Sequence, residues 1–290
     1  MLYYNNWCTL DYFADRIVIN AHIIEKDIKN TDFSNIKKSA VIDAISVVGI
    51  NPVVCLSGGI DSQAVVNIWK EQNFPFTAVT FDFGNNFNQK ELFDALSFAD
   101  FLKIPIKVIK LDVMRFLLRD LDKFSQRYQI ASPQFCIHAY FLETIQSLGY
   151  TGAVFGGNGF TVVDDVIKFQ LTRAQLLDLE NYSQISGFPV IPSFLSFDRD
   201  LCLDLLLSTD SINSNDATIH KERYQNKIKC YKSLDLKIIP QSNKKTGFEE
   251  LKEYYNSINN SGWAFERDFR APLLKNYPEK TIDTHLNLLI

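Results

Sequence analysis

The sequence predicts an α/β protein built on a parallel sheet, and three observations lead to that prediction. Short segments rich in β-branched and aromatic residues alternate with segments whose apolar residues recur at helical spacing. The short segments are almost continuously apolar, which is typical of parallel strands covered on both faces. Glycine-rich turns close three of these segments. The predicted strands, with their closing turns, cover residues 53–56, 76–84, 106–111 and 152–159.

Composition and charge limit the classes of function. The chain has 290 residues, 46% of them hydrophobic, and a formal net charge of −4. Such a charge argues against general nucleic-acid or membrane-surface binding. No apolar run reaches transmembrane length, and the first residues lack a secretory signal pattern. The five cysteines show no Cys-x-x-Cys spacing, which disfavours a structural zinc site and a disulfide framework. We therefore expect a cytoplasmic protein with no membrane partner.

The turn after the first strand is the strongest candidate for a ligand site. Residues 57–62 read Ser-Gly-Gly-Ile-Asp-Ser and pass directly into a segment with helical spacing. Two glycines allow close approach of backbone to a ligand, and a helix N-terminus attracts anions. Ser57 and Ser62 add hydroxyl groups, and Asp61 adds a carboxylate suited to Mg²⁺. The loop is predicted to bind nucleotide phosphate, although it lacks the Gly-Lys-Ser/Thr of a Walker loop. The alternative is an ordinary capped turn.

The other strand ends supply further candidates, because ligands bind beyond the carboxyl ends of parallel strands. Cys55 and Leu56 end the first strand, and Phe81 and Phe83 end the second. These residues are expected to bind the nucleotide. The turn at residues 83–85 is expected to line the adenine side, with an ordinary turn as the alternative. The fourth strand ends in a glycine-dense turn followed by an acidic pair. That region contributes Gly156, Gly157, Asn158, Asp164 and Asp165 to the predicted site.

Domain organisation is predicted from the position of the loop in the chain. Residues 1–50 precede it and are predicted to form an N-terminal extension with a strand at 16–24 and a short helix at 43–48. Residues 51–290 are predicted to form the main domain. Within it, residues 210–290 are expected to be a helical C-terminal part. His138 lies on a predicted helix, where packing or exposure is expected more often than catalysis.

The six residues 57–62 resemble the pyrophosphate-binding loop of the ATP pyrophosphatase (PP-loop) superfamily. The resemblance implies an adenine nucleotide alpha hydrolase-like, Rossmann-like fold. It also implies a chemistry in which ATP is split between its α and β phosphates, a substrate oxygen is adenylated, and pyrophosphate leaves. ATP and Mg²⁺ are the implied cofactors.

Later segments are similar to asparagine synthetase-type members of that superfamily. Residues 131–133 and 154–159 resemble the second nucleotide segment of those enzymes, while residues 187–195 and 243–248 resemble two later elements in the same order. The resemblance implies that Lys245, with Lys244 as the alternative, stabilises the departing pyrophosphate. It also implies a catalytic role for Asp61 and a metal site formed by Asp61, Asp164 and Asp165.

Several positions depart from the asparagine synthetase pattern. Leu2 stands where those enzymes have a nucleophilic cysteine, and 50 residues are too few for a glutaminase domain. Asn158 replaces a glutamate, and no arginine precedes Pro192. The expected reaction is therefore an AMP-forming ligation that adenylates a carboxylate or carbonyl oxygen. Its nitrogen source is expected to be free ammonia or an amine, which a separate donor protein can supply. The small-molecule acceptor stays open.

Two other interpretations remain at this stage. Residues 81–84 and 90–92 resemble nucleobase-modifying ligases of the 7-cyano-7-deazaguanine synthase type, although the C-terminal zinc-binding cysteine cluster of that family is absent. A nucleotide-binding module without turnover is the non-enzymatic alternative, because the second nucleotide segment is altered.

Overall fold

The computed structural model describes residues 8–12, 17–24, 32–130, 132–157, 160–163, 166–169, 173–208, 219–241, 246–258 and 282–289. The helices are α1 (Phe33–Val48), α2 (Ile60–Glu71), α3 (Gln89–Leu102), α4 (Val113–Arg119), α5 (Leu121–Tyr128), α6 (Pro133–Ser147), α7 (Arg173–Ser186), α8 (Arg199–Leu207), α9 (Ile219–Ser233) and α10 (Phe248–Ile258). The strands are β1 (Cys8–Tyr12), β2 (Ile17–Ile24), β3 (Val53–Cys55), β4 (Thr77–Asp82), β5 (Ile106–Lys110), β6 (Ala153–Val154), β7 (Phe160–Val163), β8 (Val166–Phe169), β9 (Val190–Ile191) and β10 (Ile282–Leu289). A 3₁₀ helix spans Phe194–Ser196.

A five-stranded parallel sheet is the centre of the fold, and its strand order is β5-β4-β3-β6-β9. Strand β3 lies in the middle, where Val54 pairs with Ala78 of β4 on one side and Val154 of β6 on the other. The predicted α/β parallel-sheet fold is thus confirmed. The turns that follow β3, β4 and β6 consequently lie side by side at one edge of the sheet.

Hydrophobic clusters cover both faces of the sheet, as nearly continuous apolar strands require. Val54 and Leu56 belong to a cluster that includes residues of α1, α2, α3 and α8. Val53 and Cys55 belong to a second cluster formed with residues of α4, α5, α6, α7 and α10. Successive residues of β3 therefore enter opposite layers, which is the period-2 alternation of a strand.

Helix α1 packs in the core although the sequence predicted only a short helix in an extension. Asp32 caps its start by accepting a hydrogen bond from the Ser34 N–H, and Ala40, Val41, Ala44 and Val48 are fully buried in the first cluster. Residues 33–48 are therefore part of the packed α/β unit. The limits 1–50 and 51–290 for the two domains remain predictions.

A second, three-stranded sheet joins the two ends of the chain in the order β1-β2-β10. Strand β2 is antiparallel to β1 and parallel to β10. The predicted strand at 16–24 is thus confirmed. The helical prediction for residues 210–290 is correct for α9 and α10 but wrong for Ile282–Leu289. Those eight residues alternate largely between apolar and polar types, which favours a strand. Among the described helices, none is long and apolar enough to cross a membrane.

Candidate nucleotide-binding site

The loop at residues 57–62 lies between β3 and α2 and is held in shape by Ser62. The Ser62 hydroxyl donates to the Gly59 carbonyl at 2.8 Å and accepts from the Ser57 N–H at 3.2 Å. The two serine Oγ atoms are also 3.2 Å apart. Helix α2 begins directly after Gly59, so its first-turn N–H groups lack intrahelical partners. The arrangement is a helix start of the kind that can bind an anion, and the Ser62 side chain closes the loop before it.

The two loop glycines have different structural roles. Gly58 has φ +78°, and a Cβ there would lie 2.7 Å from the Asp94 Cβ and 2.8 Å from the Ala95 N. Only glycine fits that position, because α3 packs directly against it. A Cβ on Gly59 would meet only the Ser57 Oγ, at 3.4 Å. Gly59 therefore faces open space, as expected for backbone that a ligand approaches.

Gly156, at the end of β6, lies directly against the start of α2. A Cβ on Gly156 would lie 2.4 Å from the Ser62 Cα and 2.5 Å from the Ser62 N. The adjacent Gly157 is less confined, since its nearest neighbour would be the Ser193 Oγ at 3.5 Å. That hydroxyl donates to the Gly157 carbonyl at 2.8 Å. A glycine at position 156 thus allows the end of β6 to approach the loop this closely.

A cavity of about 210 Å³ opens at the carboxyl ends of β3, β4 and β6. Seven predicted site residues line it: Cys55, Leu56, Ser57, Ser62, Phe81, Phe83 and Gly156. Nine lining residues were not predicted as site residues: Val79, Thr80, Asn88, Glu91, Gln134, His138, Phe155, Thr246 and Phe248. Gly58, Gly59, Asp61 and Gly157 do not line this cavity. The remaining predicted residues, Asn158, Asp164, Asp165, Lys244 and Lys245, lie outside the described residues.

His138 of α6 is at the cavity wall among three aromatic rings. Its ring centroid lies 5.3 Å from that of Phe135, 5.4 Å from Phe248 and 6.0 Å from Phe155. Burial lowers the pKa of His138 to about 4, which the nearby Gln134 carbonyl partly opposes. Its buried Nδ1 meets no hydrogen-bond partner in the described part of the chain. His138 is thus a neutral imidazole available to a ligand in the cavity. Its helical position alone did not indicate this role.

Asp61 extends away from the cavity and contacts α9. The Lys227 Nζ donates to Asp61 Oδ2 at 2.9 Å, and the Tyr231 hydroxyl donates to Oδ1 at 2.5 Å. Burial and the Asp61 charge both raise the pKa of Tyr231 well above its usual value, so the hydroxyl keeps its proton. Sequence reasoning missed both partners, since no pattern on α9 ties it to a loop 166 residues away.

The surroundings of Asp61 give no support to the predicted metal site. Each Asp61 oxygen accepts a hydrogen bond from α9, so the carboxylate is already engaged by an ammonium and a hydroxyl group. In the regions that the structure describes, no group of three or more His, Cys, Asp or Glu side chains could hold a metal ion. A role for Asp164 and Asp165 stays a prediction.

The cysteines of the described region are suited to packing. Cys55, Cys136, Cys202 and Cys230 are all buried. Burial raises the pKa of Cys55 at the cavity and of Cys136 in the second cluster, so both stay protonated thiols at neutral pH. This arrangement gives no support to sulfur transfer through a cysteine thiolate.

Comparison with known proteins associates the loop segment with one family. Residues 51–126 match the model of the family described as queuosine biosynthesis protein QueC. This stretch contains the loop, β3, β4 and β5. No curated protein sequence matches the chain. The match and the loop place residues 51–126 in the PP-loop ATP pyrophosphatase superfamily; the predicted likeness to asparagine synthetases in particular is not confirmed.

Solved structures with a similar fold include two enzymes and a predicted enzyme subunit. The NH₃-dependent NAD synthetase from Campylobacter jejuni is 16% identical, with coverage of 85% of this chain and 96% of that chain and a TM-score of 0.37. The U34-tRNA thiolase NcsA from Methanococcus maripaludis is 15% identical, with coverage of 83% and 80% and a TM-score of 0.35. A predicted subunit of a tRNA methyltransferase from Methanocaldococcus jannaschii is 18% identical, with coverage of 67% and 94% and a TM-score of 0.35.

Proposed function

We propose that this protein is an ATP-dependent, AMP-forming ligase. The observation that carries the proposal is the position of the loop at residues 57–62, which adjoins a cavity at the carboxyl ends of β3, β4 and β6. A nucleotide can place its phosphates on the helix start and a ring in the adjoining cavity. The family match covers the loop and part of the cavity wall.

Binding of ATP would use neutral donors at the phosphates and aromatic side chains at the base. The loop offers backbone N–H groups and the Ser57 hydroxyl, and its Gly59 backbone is open to a ligand. Phe81 and Phe83 provide apolar surface in the cavity. A volume of about 210 Å³ is below the range of roughly 300–1,000 Å³ for sites that enclose a drug-sized molecule. The cavity therefore suits a ring system, with the phosphates outside it on the loop.

The proposed reaction has two steps. A carboxylate or carbonyl oxygen of the acceptor attacks the α-phosphorus, the bond between that phosphorus and the bridging oxygen breaks, and pyrophosphate leaves. Ammonia, or an amine supplied by another protein, then attacks the carbon that carries the adenylated oxygen and displaces AMP. Lys245 or Lys244 is proposed to stabilise the leaving pyrophosphate. Because the Asp61 carboxylate is paired with Lys227, no step is assigned to a metal there.

A nucleobase-modifying ligase of the 7-cyano-7-deazaguanine synthase type is the second candidate. The match to the QueC family model favours it. Under this candidate the cavity takes a planar heteroaromatic acceptor in place of the ring of ATP, since aromatic rings and the unpartnered His138 Nδ1 provide stacking surface and a hydrogen-bonding atom. The zinc-binding cysteine cluster of that family is the feature that this chain lacks.

The experiment that tests the proposal follows the fate of ATP. The protein is incubated with ATP labelled in its α and γ phosphates, together with ammonium and either amino acids or 7-carboxy-deazapurines as acceptors. Release of AMP with pyrophosphate supports an AMP-forming ligase, and the active acceptor class decides between the two candidates. Tight ATP binding without release of pyrophosphate in the presence of any acceptor would instead favour a nucleotide-binding module without turnover.

A further inference from the structure

Helix α9 presents one polar face to the loop. Arg223, Lys227 and Tyr231 follow one another at intervals of four residues, so they lie along the same side of the helix. Lys227 and Tyr231 both bind the Asp61 carboxylate, at 2.9 and 2.5 Å. Asp61 is in the first turn of α2. The α9 face therefore reaches the helix start at which phosphate is proposed to bind.

The positive charges of Lys227 and Arg223 outnumber the negative charge of Asp61, which favours binding of an anion. Asp61 would by itself repel a phosphate bound at the start of α2, because like charges destabilise each other. Lys227 neutralises it, and its side chain is only 18% exposed while that of Asp61 is 26% exposed. Screening by salt is weaker for such partly buried groups. Arg223 then adds a second positive charge on the same face, so the two cations exceed the one carboxylate.

Both cations keep donors that the described contacts do not use. The Lys227 ammonium has three N–H donors, and one of them binds Asp61 Oδ2 in the described part of the structure. The Arg223 Nε is buried without a hydrogen-bond partner among the described residues. An unpaired buried donor is costly, and a bound phosphate oxygen would satisfy such a group.

We propose that Lys227, together with Arg223, is the cationic phosphate-binding element of this site and that Asp61 positions Lys227 instead of holding a metal. The inference rests on the proposed function, because it assumes that the loop binds the phosphates of ATP. It assigns the charge that the loop lacks to α9, an element that no motif marks. Tyr231 holds the second Asp61 oxygen and so keeps the carboxylate aimed at Lys227.

The two roles of Asp61 predict opposite effects of removing Lys227. If Asp61 anchors Lys227, Lys227→Met removes a phosphate contact and weakens binding with or without Mg²⁺. If Asp61 is a metal ligand, the same change removes a competitor for its oxygens and strengthens Mg²⁺-dependent binding. Asp61→Asn weakens binding in either case, but only the anchoring role makes that loss independent of Mg²⁺.

The test measures the binding of inorganic pyrophosphate by calorimetry in EDTA and again in Mg²⁺. We expect Lys227→Met to weaken binding in EDTA roughly ten- to hundredfold, the value of a charge-assisted hydrogen bond. Arg223→Met should also weaken it, whereas Lys227→Arg should keep most of it. Lys232→Met removes an exposed charge from the same helix and serves as the matched control. The Asp61→Asn and Lys227→Met effects should not add, because they disrupt one arrangement.

Each outcome separates this inference from the proposed function. Pyrophosphate binding by the native protein that Lys227→Met leaves unchanged would overturn the inference and leave the proposed function standing. Stronger Mg²⁺-dependent binding by Lys227→Met would also overturn it and assign Asp61 to the metal. If Lys227→Met fails to fold, the pyrophosphate affinities of Lys227→Arg and Arg223→Met in EDTA are compared instead. Full binding by Arg223→Met together with no binding by Lys227→Arg would exclude a role for positive charge and overturn the inference. A native protein that binds neither pyrophosphate nor ATP would contradict the proposed function itself.

Discussion

The Cα of Gly156 lies so close to Ser62 that a Cβ on Gly156 would be 2.4 Å from the Ser62 Cα. This contact joins the end of β6 to the first turn of α2, and so joins the two segments predicted to bind a nucleotide. No side chain fits between them. The site is therefore built at a backbone-to-backbone contact that depends on the sheet order, with β6 beside β3.

Gly156→Ala should damage both the fold and the site. The added methyl group must displace backbone atoms, and overpacking of this kind costs about 1–3 kcal/mol. Gly157→Ala is the matched control, because its Cβ would meet the Ser193 Oγ at an ordinary 3.5 Å. Urea denaturation and ATP titration of both variants provide the measurement. Equal stability and equal ATP affinity in the two variants would show that the contact is dispensable.

Ser62→Ala should loosen the loop. The Ser62 hydroxyl bonds both the Gly59 carbonyl and the Ser57 N–H, so its loss leaves two backbone groups without their partner. A lost hydrogen bond of this type costs about 1 kcal/mol of stability. ATP affinity should fall more than it does in Ser57→Ala, whose hydroxyl contacts only Ser62 among the described groups. Weaker ATP binding in Ser57→Ala than in Ser62→Ala would show that the contact of the Ser57 hydroxyl with ATP outweighs the Ser62 clasp.

His138 should make the fold less stable in acid. Its pKa is about 4 in the folded protein against an ordinary value of 6.5, so the unfolded chain binds a proton that the folded one excludes. Stability from this group is therefore complete above pH 6.5 and falls as the pH drops from 6.5 towards 4. The loss reaches up to about 3 kcal/mol.

Thermal unfolding across this pH range, compared between the native protein and His138→Phe, isolates the contribution of the imidazole. The native protein should lose stability relative to His138→Phe as the pH falls. A difference that stays constant from pH 7 to pH 4 would show that the pKa of His138 is the same in the folded and unfolded states.

Lys245→Met should reduce turnover more than ATP affinity. The resemblance places Lys245 at the leaving pyrophosphate, where negative charge is largest in the transition state. The loss should be about 2.7–4 kcal/mol in kcat, by analogy with removal of one oxyanion donor. Lys244→Met tests the alternative residue for the same role. Unchanged pyrophosphate release in both variants would remove this pair from the mechanism.

The sequence was a good guide to the parts of the fold that local patterns encode. Continuous apolar strands identified the parallel sheet, and the serine–glycine loop after β3 identified the helix start. Strand β9 went unrecognised because two residues carry no periodic signal. The sequence predicted only the last part of α1 and missed its start. The burial of α1 could not be predicted from residues 33–48 alone, because that burial depends on contacts with distant helices.

The predicted site residues that follow strand ends lie together, whereas the contacts that depend on distant packing were not predicted. Ser57, Ser62, Phe83 and Gly156 meet at one cavity because the strand order brings their turns together. The pairing of Asp61 with Lys227 could not be foreseen, since the two residues are 166 positions apart. A carboxylate in a glycine-rich loop suggests a metal ligand until the tertiary contacts show a cation on it.

The central claim, that the loop at residues 57–62 binds ATP, is tested most directly by calorimetric titration of ATP into Gly59→Val. The valine side chain has room in the unliganded protein, since a Cβ there would meet only the Ser57 Oγ at 3.4 Å. The fold should therefore persist, as thermal unfolding can verify, while the side chain occupies the space that phosphate needs. We predict that ATP binding is abolished at native stability. A variant that binds ATP as tightly as the native protein would show that the loop is only a turn.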